Sequence, residues 1–129
     1  MAQIKIYGQR AHLTANRETI SNVIHACAVE ALQLPEEKRF HRFLSLDGDD
    51  FIYPPDRSDR YTIIEISMFE GRSVGAKKQL IHLFFTRLES ECGISPNNVE
   101  ITITETPREN WGIRGLPADE LALTYTVRV

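Results

Sequence analysis

The sequence is poor in cysteine, in clustered basic residues and in long apolar runs, and each shortage excludes a class of protein. Only Cys27 and Cys92 occur among its 129 residues, and each continues the apolar stripe of a different predicted helix. We therefore expect two buried thiols rather than a disulfide or a pair of metal ligands. The acidic segment 47–50 lacks the ligand spacing of a calcium loop, so we expect no metal site there.

The charge balance and the hydropathy exclude two kinds of partner. The formal net charge is −3, and basic residues are spread among acidic ones along the whole length, so we expect no nucleic-acid partner. No apolar run approaches the length of a membrane span, and residues 1–10 lack the apolar core of a signal peptide. We therefore expect no membrane partner and a cytoplasmic protein.

One stretch organises the chain, because its hydrophobic period changes from two to helical across a single turn. Tyr61–Phe69 alternates as a strand, and Ser73 is a good cap for a helix that ends at Gly93. Arg72 lies in the turn, where the first N–H groups of a helix and a guanidinium would favour a carboxylate or an enolate. From spacing alone, a surface ion pair for Arg72 is an equally good interpretation.

An earlier stretch repeats this order of strand, helix and strand. Ala2–Gly8 alternates as a strand, and Arg39–Leu46 returns to a strand pattern after a helix. The helix between them is expected to begin at a cap formed by Thr14 or Asn16 and to end near Leu32.

The chain is therefore expected to hold two β-α-β units, about residues 2–46 and 61–105, related by an internal pseudo-repeat. Residues 106–129 add a loop rich in proline and glycine and then a strand, Leu121–Val129, whose apolar residues alternate strictly. This order predicts a single α+β domain over residues 1–129, with a four-stranded sheet and two helices on one face.

Two helices cover only one face of such a sheet, so the second face needs another partner. The pattern places Phe43, Ile63 and Phe69 on that second face. The strand Leu121–Val129 also carries an apolar side with nothing to cover it. We therefore expect further copies of the chain to cover both surfaces, in a homotrimer.

Two segments carry a resemblance to a known family. One is EGRS at 70–73, followed by KK at 77–78 and LI at 80–81, and the other is ENWGI at 109–113. Together with the duplicated β-α-β plan, they resemble the tautomerase superfamily over nearly the whole chain, and ENWGI is similar to the ENWGIGG segment of many short tautomerases. The length and the sequence PEE at 35–37 look most like the malonate semialdehyde decarboxylase branch.

The resemblance implies a catalytic amine at the amino terminus, which in the family belongs to a proline exposed by removal of the initiator methionine. This chain has Ala2 at that place, and removal of Met1 would leave a primary amine with an ordinary pKa of about 7.7–8.0. The resemblance also implies that Arg72 acts in catalysis and binds substrate, with Trp111 as an apolar wall. Trp111 is interpreted alternatively as a core or interface aromatic. No metal or cofactor is implied.

Two positions depart from the decarboxylase pattern, with Lys38 in place of an aspartate and Glu70 in place of an arginine. The first expected function is tautomerase-like, with weak or divergent proton-transfer chemistry of the isomerase or decarboxylase type on a small 2-keto acid or enol. The alternative is a non-catalytic homotrimer that binds a small carboxylate or enol ligand or another protein on the same scaffold. Loss of the proline favours the alternative, whereas retention of Arg72 and Trp111 favours the enzyme.

Overall fold

The computed structural model describes residues 2–129 of the chain. Two long helices and four main strands alternate along it, in the order β1 Ala2–Gln9, α1 Arg10–Leu32, β2 His41–Leu46, β3 Thr62–Phe69, α2 Val74–Cys92 and β4 Val99–Thr106. A small hairpin follows, made of β5 Gly112–Ile113 and β6 Leu116–Pro117. This order confirms the predicted α+β fold built from two β-α-β units. Neither helix within the described residues has the length and apolarity needed to cross a membrane.

The pairing of the strands brings four chain segments to one end of the sheet. The strand order is β2-β1-β3-β4, with parallel outer pairs and an antiparallel central pair. Because β1 and β3 run in opposite directions, Ala2 at the start of β1 lies opposite Met68, near the end of β3. Thr106 at the end of β4 lies opposite Phe69. The start of β2 lies at the same end, since His41 pairs with Ile4.

The two helices pack on one face of the sheet and form the main core with it. Alternate residues of β1 and β3 point toward the helices, and most of them bury an apolar side chain. The fully buried side chains of this core include Ile6, Leu13, Ile20, Ile24, Leu32, Ile64, Ile66, Met68, Leu80, Phe84 and Leu88. Burial of each such side chain stabilises the fold by about 1.5–3 kcal/mol.

The predicted ends of the second helix are confirmed, whereas the predicted start of the first is wrong. Ser73 Oγ accepts a hydrogen bond from the Ala76 N–H at 3.1 Å, and Gly93 ends α2 in the left-handed region with φ +66°. The first helix begins at Arg10 instead of near Thr14 or Asn16, without a side-chain cap.

Tertiary contacts explain this early start of α1. Leu13 is fully buried, and the ring of His12 lies 3.0 Å from Thr62 Oγ1. A Cβ atom at Gly8 would lie only 3.0 Å from Leu13, so the glycine permits the close packing of the first turn. Burial of these side chains therefore fixes the first turn in place of a cap.

The predicted strand Leu121–Val129 is a second correction. No strand is assigned to these residues, which we call the C-terminal tail. Exposed and more buried residues nevertheless alternate along the tail, as the pattern predicted. The tail does not pair with either edge strand of the described sheet, β2 or β4. Its side chains therefore alternate as they would in a strand, although its backbone forms no ladder with the sheet.

The second face of the sheet is also more polar than the sequence indicated. Phe43 packs against the main core on the helix side, whereas Ile63 and Phe69 lie on the second face, where Trp111 and Val127 of the same chain pack against Phe69. Tyr7 donates a hydrogen bond to Glu65 Oε1 there at 2.6 Å. The second face therefore gives less support for a trimer than the apolar face that the sequence pattern predicted.

Candidate functional site

The turn between β3 and α2 holds Arg72 in a buried position. Gly71 has φ +128°, which side chains rarely adopt, and a Cβ there would lie 3.0 Å from Val127 of the C-terminal tail. This glycine lets the chain turn directly beneath the tail. Arg72 is 5% exposed, and its Nη1 donates to the Phe69 carbonyl at 3.4 Å. Its Nε and Nη2 groups are buried without a hydrogen-bond partner among the described residues.

The charge of Arg72 is not neutralised by an ion pair in the described part of the chain. No carboxylate there lies within 4.0 Å of its guanidinium, which rules out the surface ion pair as its role. Burial lowers the pKa of Arg72, and nearby Tyr125 and Glu105 act in the opposite direction. Glu105 itself accepts from Lys77 Nζ at 2.7 Å. Since an arginine remains charged at neutral pH, the turn presents a buried cation with unused donors.

Trp111 packs beside this turn. Its ring meets that of Phe69 edge to face, with the ring centroids 5.0 Å apart. Its carbonyl accepts from the Ala118 N–H at 2.7 Å, and these side chains form a small cluster with Val127. Trp111 therefore packs as a structural aromatic within the chain, and a role as a substrate wall stays a prediction.

Ala2 lies at the same end of the sheet but packs in a different cluster. It is buried in the main core and lies opposite Met68, the residue before Phe69. Arg72 and Trp111 both contact Phe69, so the structure brings these two predicted site residues together. Ala2 does not share this contact, because it pairs with the preceding residue of β3, Met68. Met1, whose removal would expose the Ala2 amine, lies outside the described residues.

Several residues of this end were missed by sequence reasoning. Lys38, Arg114 and Tyr125 line a narrow cavity of about 10 Å³ together with Phe69, Ile113, Leu123 and Thr124. Such a volume holds about one water molecule. Residues 123–125 of the tail form one wall of this cavity. The sequence marks Lys38 only as a departure from the decarboxylase pattern, and no local pattern indicates that it lies near the hairpin.

Tyr125 and Arg108 connect the tail to this end of the sheet. Burial raises the pKa of the Tyr125 hydroxyl, while Arg72, Arg108 and Arg114 act against that rise. The hydroxyl is thus protonated at neutral pH and can donate a hydrogen bond. Arg108 Nη2 donates to the carbonyls of Ala118 at 2.7 Å and Leu121 at 3.0 Å, which fixes the start of the tail.

The described residues offer no group of three histidine, cysteine, aspartate or glutamate side chains arranged to hold a metal ion. Most charged side chains at this end of the sheet are cations, namely Lys38, Arg72, Arg108 and Arg114, while the nearby acids are Glu70 and Glu105, and Glu105 is paired with Lys77. Such a set can bind an anion and stabilise negative charge as it develops on an oxygen atom.

Comparisons with known proteins assign the family. The family model Tautomerase_2, described as tautomerase enzyme, matches residues 38–114, which is more than half of the chain. The chain belongs to the tautomerase superfamily. This confirms the resemblance that the EGRS and ENWGI segments carried.

Curated relatives agree with this assignment. The probable tautomerase YusQ of Bacillus subtilis (strain 168) is 26% identical over 110 residues, which cover 78% of this chain and 87% of YusQ. The 2-hydroxymuconate tautomerase of Pseudomonas putida is 42% identical over 57 residues, which cover 44% of this chain and 90% of that enzyme. A tautomerase-like function follows for this chain, with its substrate left open.

Solved structures of the superfamily share the fold. A malonate semialdehyde decarboxylase inhibited by 3-bromopropiolate superposes with a TM-score of 0.79 at 25% identity, over 94% of this chain and 98% of that one. Native fused 4-OT superposes with a TM-score of 0.80 at 18% identity, over 92% and 98%. Another fused 4-OT structure is described as an asymmetric trimer. These proteins show that the fold occurs in oligomers.

Proposed function

We propose that this chain is a divergent tautomerase-type enzyme that moves a proton on a small 2-keto acid or enol, in a reaction of the isomerase or decarboxylase type. The observation that carries the proposal is the buried guanidinium of Arg72, whose Nε and Nη2 atoms have no hydrogen-bond partner among the described residues. Arg72 would bind the substrate carboxylate or the enolate oxygen, because charge develops on that oxygen during proton transfer.

The Ala2 amine would move the proton once Met1 is removed. Ala2 lies at the same end of the sheet as Arg72, which supports a shared site. A primary amine with an ordinary pKa of about 7.7–8.0 is mostly protonated at neutral pH, so only a minor fraction can act as a base. We therefore expect slow turnover. Trp111 would form the apolar wall of the site.

A kinetic comparison of arginine variants tests this proposal. Arg72→Gln should lower the rate of phenylenolpyruvate ketonisation by about 10²-fold or more, since one lost donor to a developing oxyanion costs that much. Arg87→Gln, on an exposed part of α2, removes the same charge and should leave the rate unchanged. Equal rates for the Arg72→Gln variant and the parent would refute the proposed role of Arg72.

A non-catalytic binding protein on the same scaffold is the second candidate. Two observations favour it: Ala2 in place of the proline, and the small volume, about 10 Å³, of the cavity beside Phe69 that the tail lines. Under this alternative, a small carboxylate such as malonate would stabilise the parent and not Arg72→Gln against thermal unfolding, and no enol substrate would turn over.

We propose further that the chain forms a homotrimer in which the C-terminal tail pairs with a sheet edge of a neighbour. The trimer described for fused 4-OT supports this, and so does the strand-like alternation of a tail that has no ladder partner within the described residues. Light scattering should give three times the 14.8 kDa protomer mass, and a chain that ends at Glu120 should be monomeric. A stable full-length monomer at micromolar concentration would contradict the trimer. A cytoplasmic location stays a prediction.

A further inference from the structure

A second polar surface lies between α1 and β2, and it includes none of Ala2, Arg72 and Trp111. A groove of about 510 Å³ opens there, a volume typical of sites for small organic molecules. The lining residues that matter for its chemistry are Arg17, Ser21, Asn22, Arg39, His41 and Phe43.

Neutral groups hold Arg39 against the helix. Its Nη1 donates to Asn22 Oδ1 at 2.7 Å and to Ser21 Oγ at 3.4 Å. Ser21 Oγ in turn lies 2.7 Å from His41 Nδ1. These contacts orient the guanidinium without neutralising its charge.

Arg17 supplies a second cation on the same groove. Its guanidinium carbon lies 6.0 Å from the centre of the Phe43 ring, so an apolar wall adjoins the charge. In the described chain, neither Arg17 nor Arg39 has a carboxylate within 4.0 Å. Glu18 is the one acid in the lining, so the groove carries two cations and one anion.

The neighbouring groove shows that this charge is local. It shares Asn22 and Arg39 but is lined by Glu30 and Glu36, so acids outnumber bases there. An anion would therefore be attracted to the groove that contains Arg17 and repelled from its neighbour.

His41 is a natural reporter of an anion in the groove. Burial, the facing ring of His25 and the charge of Arg39 lower the pKa of His41 to about 4, so the ring is neutral at pH 7. A neutral ring can accept the Ser21 hydroxyl hydrogen at Nδ1. Because a nearby negative charge favours the protonated ring, an anion bound at the two arginines would raise this pKa.

We propose that the groove between α1 and β2 binds a small organic oxyanion, a carboxylate or a phosphoester, through Arg17 and Arg39 with the apolar part of the ligand against Phe43. Paired oxygen atoms match the fork of a guanidinium, and both ligand classes have them. This proposal does not depend on the function proposed for the Arg72 site.

The test follows the His41 ring by NMR through a pH titration of the full chain, with sodium phenylglyoxylate and phenyl phosphate as separate probes at constant ionic strength, because both remain anionic near pH 4. We expect one or both probes to raise the pKa of His41 by roughly half a unit or more. Probe concentrations extend to about 20 mM, well above a dissociation constant of about 1 mM. The probe with the larger effect identifies the ligand class.

Two groove variants and two control variants assign the effect to the groove. Arg17→Gln and Arg39→Gln should abolish the probe-dependent rise, even though loss of Arg39 changes the starting pKa. Arg42→Gln is the matched control, because Arg42 lies next to His41 in β2 but its Nη2 donates to Gln3 Oε1 at 3.0 Å, outside the groove. Arg72→Gln should also retain the effect, since the sites are separate.

Two outcomes would overturn the proposal. One is an unchanged His41 pKa with both probes over the whole concentration range. The other is an equal rise in the parent, Arg17→Gln and Arg39→Gln proteins, which would show a general ionic effect. Both arginines are exposed, so their variants should fold, and circular dichroism confirms this before the titration.

Discussion

Replacement of Arg72 by methionine should stabilise the protein in the absence of ligand. The arginine is almost fully buried, and its Nε and Nη2 groups lack a hydrogen-bond partner among the described residues. Methionine has a similar length, fills irregular space and has no donor to leave unsatisfied. A residue kept for binding rather than for folding should show such a conflict between stability and function.

The magnitude follows from the contacts of the side chain. Each buried donor without a partner costs about 1–3 kcal/mol, and Arg72 has two. The substitution loses one backbone hydrogen bond to Phe69, whose length of 3.4 Å puts its contribution at the low end of about 0.5–1.5 kcal/mol. Loss of the attraction to Glu105 reduces the gain further. We therefore expect a net gain of about 1–3 kcal/mol in the free energy of unfolding.

Urea unfolding of the parent and Arg72→Met proteins measures this difference. Both are compared at one protomer concentration, because oligomer formation makes stability depend on concentration. The matched control is Arg87→Met, which removes an exposed pair with Glu91 one helical turn away and should cost only about 0.3–0.5 kcal/mol. A loss of more than about 1 kcal/mol for Arg72→Met would refute the reasoning, since it would mean that the guanidinium is satisfied in the folded state.

Three further predictions concern the core, the hairpin and pH. Phe84→Ala should cost about 3–5 kcal/mol in urea unfolding because the ring is fully buried, whereas Phe85→Ala, at a half-buried position, should cost clearly less; equal losses would mean that the helix faces are assigned wrongly. Arg114→Gly should stabilise the chain by about 1 kcal/mol, because Arg114 has φ +52° in the turn between β5 and β6, and a loss of stability would contradict this strain. The folded protein should lose roughly 1–3 kcal/mol of stability as pH falls from about 6.5 toward 4, because the pKa of His41 is about 4 in the folded state and the unfolded state binds the proton first over this range. An equal loss of stability in His41→Asn would show that another group causes the pH dependence.

The fold could be predicted because its signals are local. The alternation of Tyr61–Phe69 and the caps at Ser73 and Gly93 depend on neighbours in the sequence, and the structure has all three within one residue. The start of α1 failed for the opposite reason. It is set by burial of Leu13 and by contact of His12 with Thr62, fifty positions later, which no local pattern records.

The sequence indicated only those residues of the candidate site that have a local signal. Arg72 was found because a turn between a strand and a helix has a recognisable sequence, but its burial depends on the distant C-terminal tail. Lys38 and Tyr125 reach the same cavity from separate segments, so only the folded chain brings them together. Arg114 had a usable signal, since it stands where the similar ENWGIGG segment has glycine, and this position requires positive φ.

The most direct test of a latent tautomerase site is the rate of phenylenolpyruvate ketonisation by Ala2→Pro, once intact mass has shown that Met1 is removed. The proline amine would provide the base of the family at the start of β1, so this account predicts a faster rate than that of the parent. It also predicts that adding Arg72→Gln to the Ala2→Pro protein lowers that rate by about 10²-fold or more. If the processed Ala2→Pro protein has the parent's oligomeric state and is no faster on several enol substrates, the tautomerase account is contradicted and the binding-protein alternative is favoured.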